Sequence, residues 1–219
     1  MKISYAICVC NEARDLYSLV NFLKKVKDPD DEINILVDSK HVSQKVREVL
    51  KHFEKDIIQN ERDFDGNFAS HRNFHFKKCN GEYIFTLDPD EMPKEFLIKK
   101  IKELINETDT DFIAIPRINI SPGYTQAWLD KCDYKINEVG WINWPDFQGR
   151  IVKNNNKIKW ESKLHERIIG YTNPIQLQPQ PDLALWHIKS VDKDTNRWDE
   201  NHQYVSPNQK FNNLYDTLM

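Results

Sequence analysis

Short apolar runs alternate with amphipathic segments through the first half of the chain, and this alternation predicts strands followed by helices. The apolar runs lie at residues 3–10, 32–37, 57–58, 83–87 and 111–118. Between them, hydrophobic residues recur every three or four positions, which predicts helices at residues 16–23, 42–53, 68–79 and 96–105. Strands that are joined through helices favour a mostly parallel α/β sheet with helices on both faces.

The second half of the chain has a different pattern, with few long helical periodicities and all six tryptophans. We predict short antiparallel strands there, including a hairpin of residues 147–153 and 157–161 that is joined by three asparagines at 154–156. A further short strand is predicted at residues 183–188. This half is therefore expected to add a small antiparallel region to the parallel sheet.

The composition suits one domain with a core of moderate size, since 39% of the 219 residues are hydrophobic and 30% are charged. The formal net charge of −3 gives no overall field that favours nucleic acid or an anionic membrane. No run approaches the ~20 apolar residues of a membrane helix, and no signal peptide follows Met1, so a cytoplasmic protein is expected. The predicted organisation is a domain at 1–205, with halves at 1–118 and 119–205, and a tail at 206–219.

Three carboxylates follow the apolar run of residues 83–87, at Asp88, Asp90 and Glu91. Ligands of open α/β sheets bind at the carboxyl ends of the strands, and two acids one residue apart can hold a divalent cation beside substrate phosphates. Acids are also common in turns and in the first turns of helices. The Asp-x-Asp motif alone is therefore compatible with either a metal site or a structural role.

Six sequence blocks carry a resemblance to a known family. They are ISYAICVCNEARD at the start, LVDS, HRNFHFKKCNGEYIFTLDPDE, WPDFQGRIVKN, KWESKLHE and LWH. In this order they resemble the family 2 glycosyltransferases of the GT-A fold, and the later blocks are similar to the subgroup related to lipopolysaccharide-core glucosyl- and heptosyl-type transferases. The compact, Asn- and Lys-rich composition also resembles small transferases encoded by phages and large DNA viruses.

The resemblance implies a metal-dependent, inverting enzyme that moves a sugar from a nucleotide sugar, expected to be a UDP-sugar, to an acceptor hydroxyl. The implied cation is Mn²⁺ or Mg²⁺, which would neutralise charge on the leaving diphosphate. Its implied ligands are Asp90, Asp88 and His187; without the resemblance, His187 is a half-buried strand histidine. The acceptor is expected to be a glycan, a protein or a hydroxymethylated DNA base.

The resemblance also places Asp146 as the general base that takes the proton of the acceptor hydroxyl. Because Asp146 lies among aromatic residues, burial is expected to raise its pKa, whereas the structural alternative is a turn aspartate after a proline. The residues implied to bind the donor are Asn11, Glu12, Asp38, Arg72, Asn73 and Asp88. Those implied to bind the acceptor are Arg150, His165 and Glu166.

Several of these residues have structural alternatives. Guanidinium groups such as Arg72 and Arg150 suit phosphate oxygens, but they also form surface salt bridges, and Glu166 has Arg167 or Lys163 as a local partner. A basic cluster near the proposed hairpin either meets phosphates or is a solvated face; it contains Arg150, Lys153, Lys157, Lys159 and Lys163. The competing functions are a non-catalytic nucleotide-sugar-binding module and a nucleotidyltransferase.

Overall fold

A nine-stranded sheet with helices on both faces forms the centre of the computed structural model, which describes residues 1–191. The strands are Ile3–Val9 (β1), Glu32–Asp38 (β2), Ile58–Arg62 (β3), Tyr83–Leu87 (β4), Glu91–Pro93 (β5), Phe112–Ile120 (β6), Ile142–Lys153 (β7), Lys159–Glu161 (β8), Arg167–Ile169 (β9), Pro174–Gln176 (β10) and Leu185–Ile188 (β11). The helices are Ala13–Val26 (α1), Gln44–His52 (α2), Phe68–Phe76 (α3), Glu95–Thr108 (α4) and Gln126–Lys131 (α5), and a short 3-10 turn covers Pro181–Leu183. The α/β prediction is confirmed; the boundary at residue 205 and the tail at 206–219 lie outside the described residues.

The strand order along the sheet is β3-β2-β1-β4-β7-β6-β11-β5, and β10 pairs with β6 beside β11. The first four strands are parallel, and β7 runs antiparallel between β4 and β6. The register places Val9 beside Val37 and Ile7 beside Leu87. The carboxyl ends of β1, β2 and β4 therefore lie at one edge, which is where ligands of α/β sheets bind.

The two faces of the sheet follow the alternation of side chains along each strand. In β1, Ile3, Tyr5 and Ile7 pack in the larger core with α1, α2 and α4, whereas Ala6 packs on the opposite face with α3, β8 and β9. Successive side chains of a strand point to opposite faces, so one strand supplies both cores. Four apolar side chains of α1 are fully buried, and each contributes about 1.5–3 kcal/mol relative to exposure; they are Leu16, Leu19, Val20 and Leu23.

Polar caps fix where two of these helices begin. The Ser43 Oγ accepts a hydrogen bond from the Val46 N–H at 3.4 Å, and the Asn67 Oδ1 accepts one from the Ser70 N–H at 2.9 Å. Such caps satisfy N–H groups that have no partner within the helix. Within residues 1–191, no helix is long and apolar enough to cross a membrane.

The predicted hairpin of residues 147–153 with 157–161 is wrong. Strand β7 already has β4 on one side and β6 on the other, so β8 pairs with β9 in a separate two-stranded antiparallel sheet. Asn154 directs the chain away from β7, because its N–H donates to the Glu82 carbonyl at 2.8 Å and its side chain donates to Cys79 and Gly81 carbonyls. The sequence also did not predict the short elements β5, α5, β9 and β10.

Gly170, directly after β9, allows the two-stranded sheet to pack closely on itself. Its φ is +89°, and a Cβ added there would lie 2.1 Å from the Lys157 carbonyl oxygen. Gly123 has a similar φ of +84°, but a Cβ added to it would meet nothing within 4 Å. The two glycines therefore share a left-handed backbone and differ in the space around it.

We predict that Gly170→Ala lowers the free energy of unfolding by roughly 3 kcal/mol, measured by urea denaturation. A left-handed backbone costs about 1–2 kcal/mol for an L-residue, and overpacking against the Lys157 carbonyl adds about 1–3 kcal/mol. Gly123→Ala is the matched control, and it is expected to show the backbone cost alone. Equal losses in the two variants would contradict a role for the close approach to Lys157.

Candidate active site

An open cleft of about 770 Å³ lies at the carboxyl edge of β1, β2 and β4 and extends to β6, β7 and β9. It draws residues from both halves of the chain. The predicted site residues that line it are Glu12, Asp38, Arg72, Asp88, Asp90, Asp146, Arg150, His165, Glu166 and His187. The fold thus brings most of the residues singled out from the sequence into one cavity.

Arg72, near the middle of α3, joins the two sides of this cleft. Its Nε donates to the Glu166 Oε1 at 2.9 Å and its Nη2 donates to the Asp88 Oδ1 at 3.0 Å. The guanidinium also lies 4.9 Å from the centre of the Trp160 ring, a cation–π distance. Glu166 is therefore paired with Arg72 across the cleft, and the alternative of a local pair with Arg167 or Lys163 is wrong.

Two further arginines, Arg117 and Arg150, converge on Glu91, whose side chain is 0% exposed. The Glu91 Oε1 accepts hydrogen bonds from the Arg150 Nη2 at 2.5 Å and from the Arg117 Nη1 at 3.0 Å, while its Oε2 accepts one from the Asp88 N–H at 3.2 Å. The Arg150 Nη2 also donates to the Asp88 Oδ2 at 3.0 Å. A continuous chain of opposite charges therefore runs from Glu166 to Arg117.

Both oxygens of Asp88 belong to this chain. Burial raises the pKa of Asp88, but the positive charges of Arg72 and Arg150 outweigh burial and hold that pKa well below its usual range. Asp88 is therefore an ionised carboxylate that two guanidinium groups already share. Arg150 itself is buried, so it does not share a surface with the other members of the predicted basic cluster. These members are exposed, and Lys153 lies 3.8 Å from Asp109; they are Lys153, Lys157, Lys159 and Lys163.

Asp146 extends the chain of charges beyond Arg117. Its Oδ2 accepts from the Arg117 Nε at 2.9 Å and Nη2 at 2.7 Å and from the Asn119 Nδ2 at 2.9 Å, whereas its Oδ1 accepts from the Gln148 Nε2 at 2.7 Å. Burial raises the pKa of Asp146, but the Arg117 charge and these hydrogen bonds lower it below the ordinary value. The expectation of a raised pKa is wrong, because the sequence did not reveal Arg117 as a partner.

Asp90 and His187 face each other across the edge of the cleft. The His187 Nε2 lies 3.7 Å from the Asp90 Oδ2, and the His187 Nδ1 lies 2.8 Å from the Asn119 Oδ1. His187 is half-buried in β11, as its structural alternative has it, but it also lines the cleft. It occupies this place because β11 pairs in register with both β5 and β6.

A divalent cation fits this pair only as a partial site. Among residues 1–191, no group of three or more His, Cys, Asp or Glu side chains is arranged to hold a metal ion. Mg²⁺ is commonly bound through one or two carboxylates, with substrate phosphates and water as its other ligands. A carboxylate and an imidazole that face the same cleft suit such a site, in which a bound diphosphate would supply further ligands.

The predicted donor residues at the ends of β1 and β2 organise the backbone around the cleft. The Glu12 Oε2 accepts from the N–H groups of Cys10 at 3.0 Å and Asn11 at 2.9 Å. The Asp38 Oδ1 accepts from the Phe64 N–H at 3.2 Å, and its Oδ2 lies 2.7 Å from the His41 Nδ1. The Asn11 Oδ1 is buried without a hydrogen-bond partner in the described part of the chain.

Asn73 is not among the residues that line the cleft. Its Nδ2 donates to the Trp160 carbonyl and its Oδ1 accepts from the Trp160 N–H, both at 2.8 Å. The amide thereby ties β8 to α3. His165, which does line the cleft, has a left-handed backbone with φ +54° in the connection between β8 and β9.

The sequence reasoning missed Arg117, Asn119 and Gln148 and gave Glu91 no role. A signal was present in β6, where Arg117 and Asn119 interrupt an otherwise apolar strand at alternate positions. Alternate positions of a strand share one face, so two polar side chains there indicate a polar site beside the sheet. Glu91 carried no such signal. Its burial depends on the pairing of β5 with β11, which joins segments far apart in the chain.

We predict that Glu91→Gln lowers the free energy of unfolding by about 3 kcal/mol, because it takes a counter-charge from the buried Arg150 and the half-buried Arg117. Glu61→Gln is the matched control: Glu61 pairs with Arg47 at 3.1 Å, but both are exposed, and a loss within about 0.5 kcal/mol is expected. Urea denaturation at neutral pH measures both variants. Similar losses would show that Glu91 does not hold the charges together.

Comparison with known proteins places this cleft in a family. Residues 4–166 match the model of glycosyl transferase family 2. Among solved structures, the chain is similar to residues 1–349 of S. aureus TarS in complex with UDP-GlcNAc, with a TM-score of 0.62 and 17% identity over 94% of this chain and 62% of that one. A crystal structure of S. aureus TarS gives a TM-score of 0.57 and 15% identity over 87% of this chain and 37% of that one.

The chain therefore spans 62% of the length of the TarS fragment that it matches, and at this identity the likeness shows the fold. No curated protein sequence matches the chain. The family model, in contrast, covers most of the chain, including the ends of β1, β2 and β4 and the segment through Glu166. The chain belongs to glycosyl transferase family 2.

Proposed function

We propose that the protein transfers a sugar from a UDP-sugar to an acceptor hydroxyl, with inversion at the anomeric carbon and with Mn²⁺ or Mg²⁺ bound at Asp90 and His187. One observation carries the proposal: Asp146 and the pair of Asp90 and His187, which are distant in sequence, line the same cleft. The complex of the TarS fragment with UDP-GlcNAc supports UDP as the nucleotide.

The carboxylate of Asp146 is suited to accept the proton of the acceptor hydroxyl through its Oδ1. Among residues 1–191, that oxygen accepts a single hydrogen bond, from Gln148, whereas Oδ2 is shared among the donors of Arg117 and Asn119. Because the pKa of Asp146 is lowered, the group is ionised at neutral pH and takes the proton as the acceptor oxygen attacks. A single displacement of this kind inverts the anomeric centre.

The leaving group needs stabilisation where negative charge develops. As the new bond to the acceptor oxygen forms, the bond between the anomeric carbon and the diphosphate breaks, and its electron pair remains on the diphosphate. A cation held by Asp90 and His187 would neutralise that charge when bound. Arg72 and Arg150, which line the same cleft, keep Asp88 ionised and fixed beside this position.

We propose a glycan as the acceptor. Phe112 and Tyr171 stack at 4.2 Å with an interplanar angle of 28°, and both line the cleft together with Leu164. Ligand sites combine apolar and aromatic walls with a few polar groups, and a sugar ring has both kinds of surface. A hydroxymethylated DNA base is less well supported, because Arg150 of the basic cluster pairs with Asp88 and Glu91 and does not face a phosphate backbone.

The competing functions differ in their products. A non-catalytic binding module would bind the donor without releasing UDP, and a nucleotidyltransferase would release pyrophosphate. The ionised Asp146 in the same cleft as Asp90 and His187 favours turnover over simple binding. Two measurements separate the three functions: UDP release from UDP-sugars, and pyrophosphate release from UTP in the presence of a sugar 1-phosphate.

We predict that UDP raises the melting temperature of the protein further in Mn²⁺ than without it, and that Asp90→Asn removes the Mn²⁺-dependent part. Ligands that bind only the native state raise the melting temperature, and an amide is a poorer cation ligand than a carboxylate. Asp30→Asn, at an exposed turn residue, is the control and should keep the full shift. An unchanged Mn²⁺-dependent shift in Asp90→Asn would exclude this cation site.

We further predict that Asp146→Asn lowers sugar transfer by roughly 10²- to 10⁴-fold, the usual contribution of general base catalysis. The amide keeps the size and one acceptor oxygen of the side chain, so UDP binding should change little. UDP release with simple glycosides as acceptors measures transfer, and Asp182→Asn, an exposed partner of Lys94, is the control. Near-normal transfer by Asp146→Asn would remove Asp146 from this role and leave Glu166 as the next candidate.

A further inference from the structure

A single amide, that of Asn119, lies between the proposed base and the proposed cation site. Its Nδ2 is 2.9 Å from the Asp146 Oδ2, and its Oδ1 is 2.8 Å from the His187 Nδ1. The contact follows from the sheet, since β6 and β11 pair in parallel with Asn119 beside His187. The three side chains are therefore held in a row by the backbone register.

The direction of this amide is fixed by Asp146. An ionised carboxylate only accepts hydrogen bonds, so the NH₂ end of Asn119 must face it and the carbonyl end must face His187. The Asn119 Nδ2 also lies 3.4 Å from the Ile142 carbonyl oxygen, a second acceptor on the same side. A flipped amide would place its oxygen against two acceptors.

The direction of the amide in turn fixes the imidazole of His187. Because the Asn119 Oδ1 only accepts, the His187 Nδ1 must carry the hydrogen. In the neutral ring, Nε2 then holds the lone pair, and this atom is the one that faces the Asp90 Oδ2 at 3.7 Å. That separation is longer than a hydrogen bond, which agrees with two acceptor atoms that face each other.

We infer that Asn119 is a positioning residue that selects the Nδ1–H tautomer of His187 and so presents the Nε2 lone pair to a cation beside Asp90. Ligating histidines generally donate their other N–H to an oxygen, and that second contact orients the ring. The selection of the tautomer stands on the hydrogen bonds alone, whereas its use for a cation rests on the proposed function. The same amide thereby links the base and the cation site.

The tautomer is measured directly by ¹⁵N NMR of the histidine rings in the protein without metal. A pH series of the same spectrum separates the imidazolium from the two neutral tautomers, because only the imidazolium carries a hydrogen on both nitrogens. The spectrum of His187→Gln, which lacks one ring, assigns the His187 signals. The His187 ring of the wild-type protein is expected to carry its hydrogen at Nδ1, because this atom faces the Asn119 Oδ1.

Two variants test whether Asn119 makes the selection. Asn119→Leu removes the acceptor and should move the hydrogen to Nε2, towards the Asp90 carboxylate. Gln148→Leu is the matched control, because Gln148 also donates to Asp146, at its Oδ1, and has no hydrogen bond to His187; its His187 ring should remain as in the wild type.

A wild-type His187 that is protonated at Nε2 would overturn the inference, and so would an Asn119→Leu protein whose His187 keeps the Nδ1–H form. The link to the cation is tested separately by electron paramagnetic resonance of Mn²⁺ with UDP present. Asn119→Leu should weaken Mn²⁺ binding by roughly 10- to 100-fold, and Gln148→Leu should not. An Nδ1–H ring in a wild-type protein that binds no Mn²⁺ would refute the proposed cation site while supporting the tautomer selection.

Discussion

The buried carboxylate of Glu91 is the interaction on which the rest of the cleft depends. It is completely buried, yet it accepts from two guanidinium groups and from the backbone N–H of Asp88. A buried charge is costly unless it is paired and fully hydrogen-bonded. Because every oxygen of Glu91 has a partner, the acidic turn after β4 is held against the arginines of β6 and β7, and Asp88 and Asp146 become parts of one network.

Local pattern in the sequence was sufficient for the elements that depend on local physics. Apolar periodicity gave the strands and helices around β1, β2 and β4, and the shared edge of these strands placed Asp38 and Asp88 at one cleft. The hairpin prediction was wrong because a hairpin needs a free edge on β7. Both edges of β7 pair with strands that are distant in the chain, β4 and β6. Whether an edge of a strand is already paired cannot be read from the residues of that strand alone.

The pKa of Asp146 illustrates the same limit within the site. Its aromatic neighbours in sequence indicated burial, and burial does raise its pKa, but Arg117 comes from another strand and reverses the result. Sequence reasoning therefore identified the carboxylate but not its charge partner. Arg117 and Asn119 were accessible in principle through the alternation of β6, whereas the inward position of Arg150 followed only from the three-dimensional pairing.

The bond between Asn73 and Trp160 has a consequence for how such a cleft can diversify. Through it the β8–β9 sheet is hydrogen-bonded to α3, and neither of its strands pairs with a described strand of the large sheet. The connection that carries His165 and Glu166 therefore lies outside the strand register of the large sheet. Residues in this connection can be exchanged, or the connection lengthened, without any change in the strand register that holds Asp90, Asp146 and His187. Sequence changes in this connection would then alter the wall of the cleft formed by His165 and Glu166. The wall that holds Asp90, Asp146 and His187 would keep its geometry.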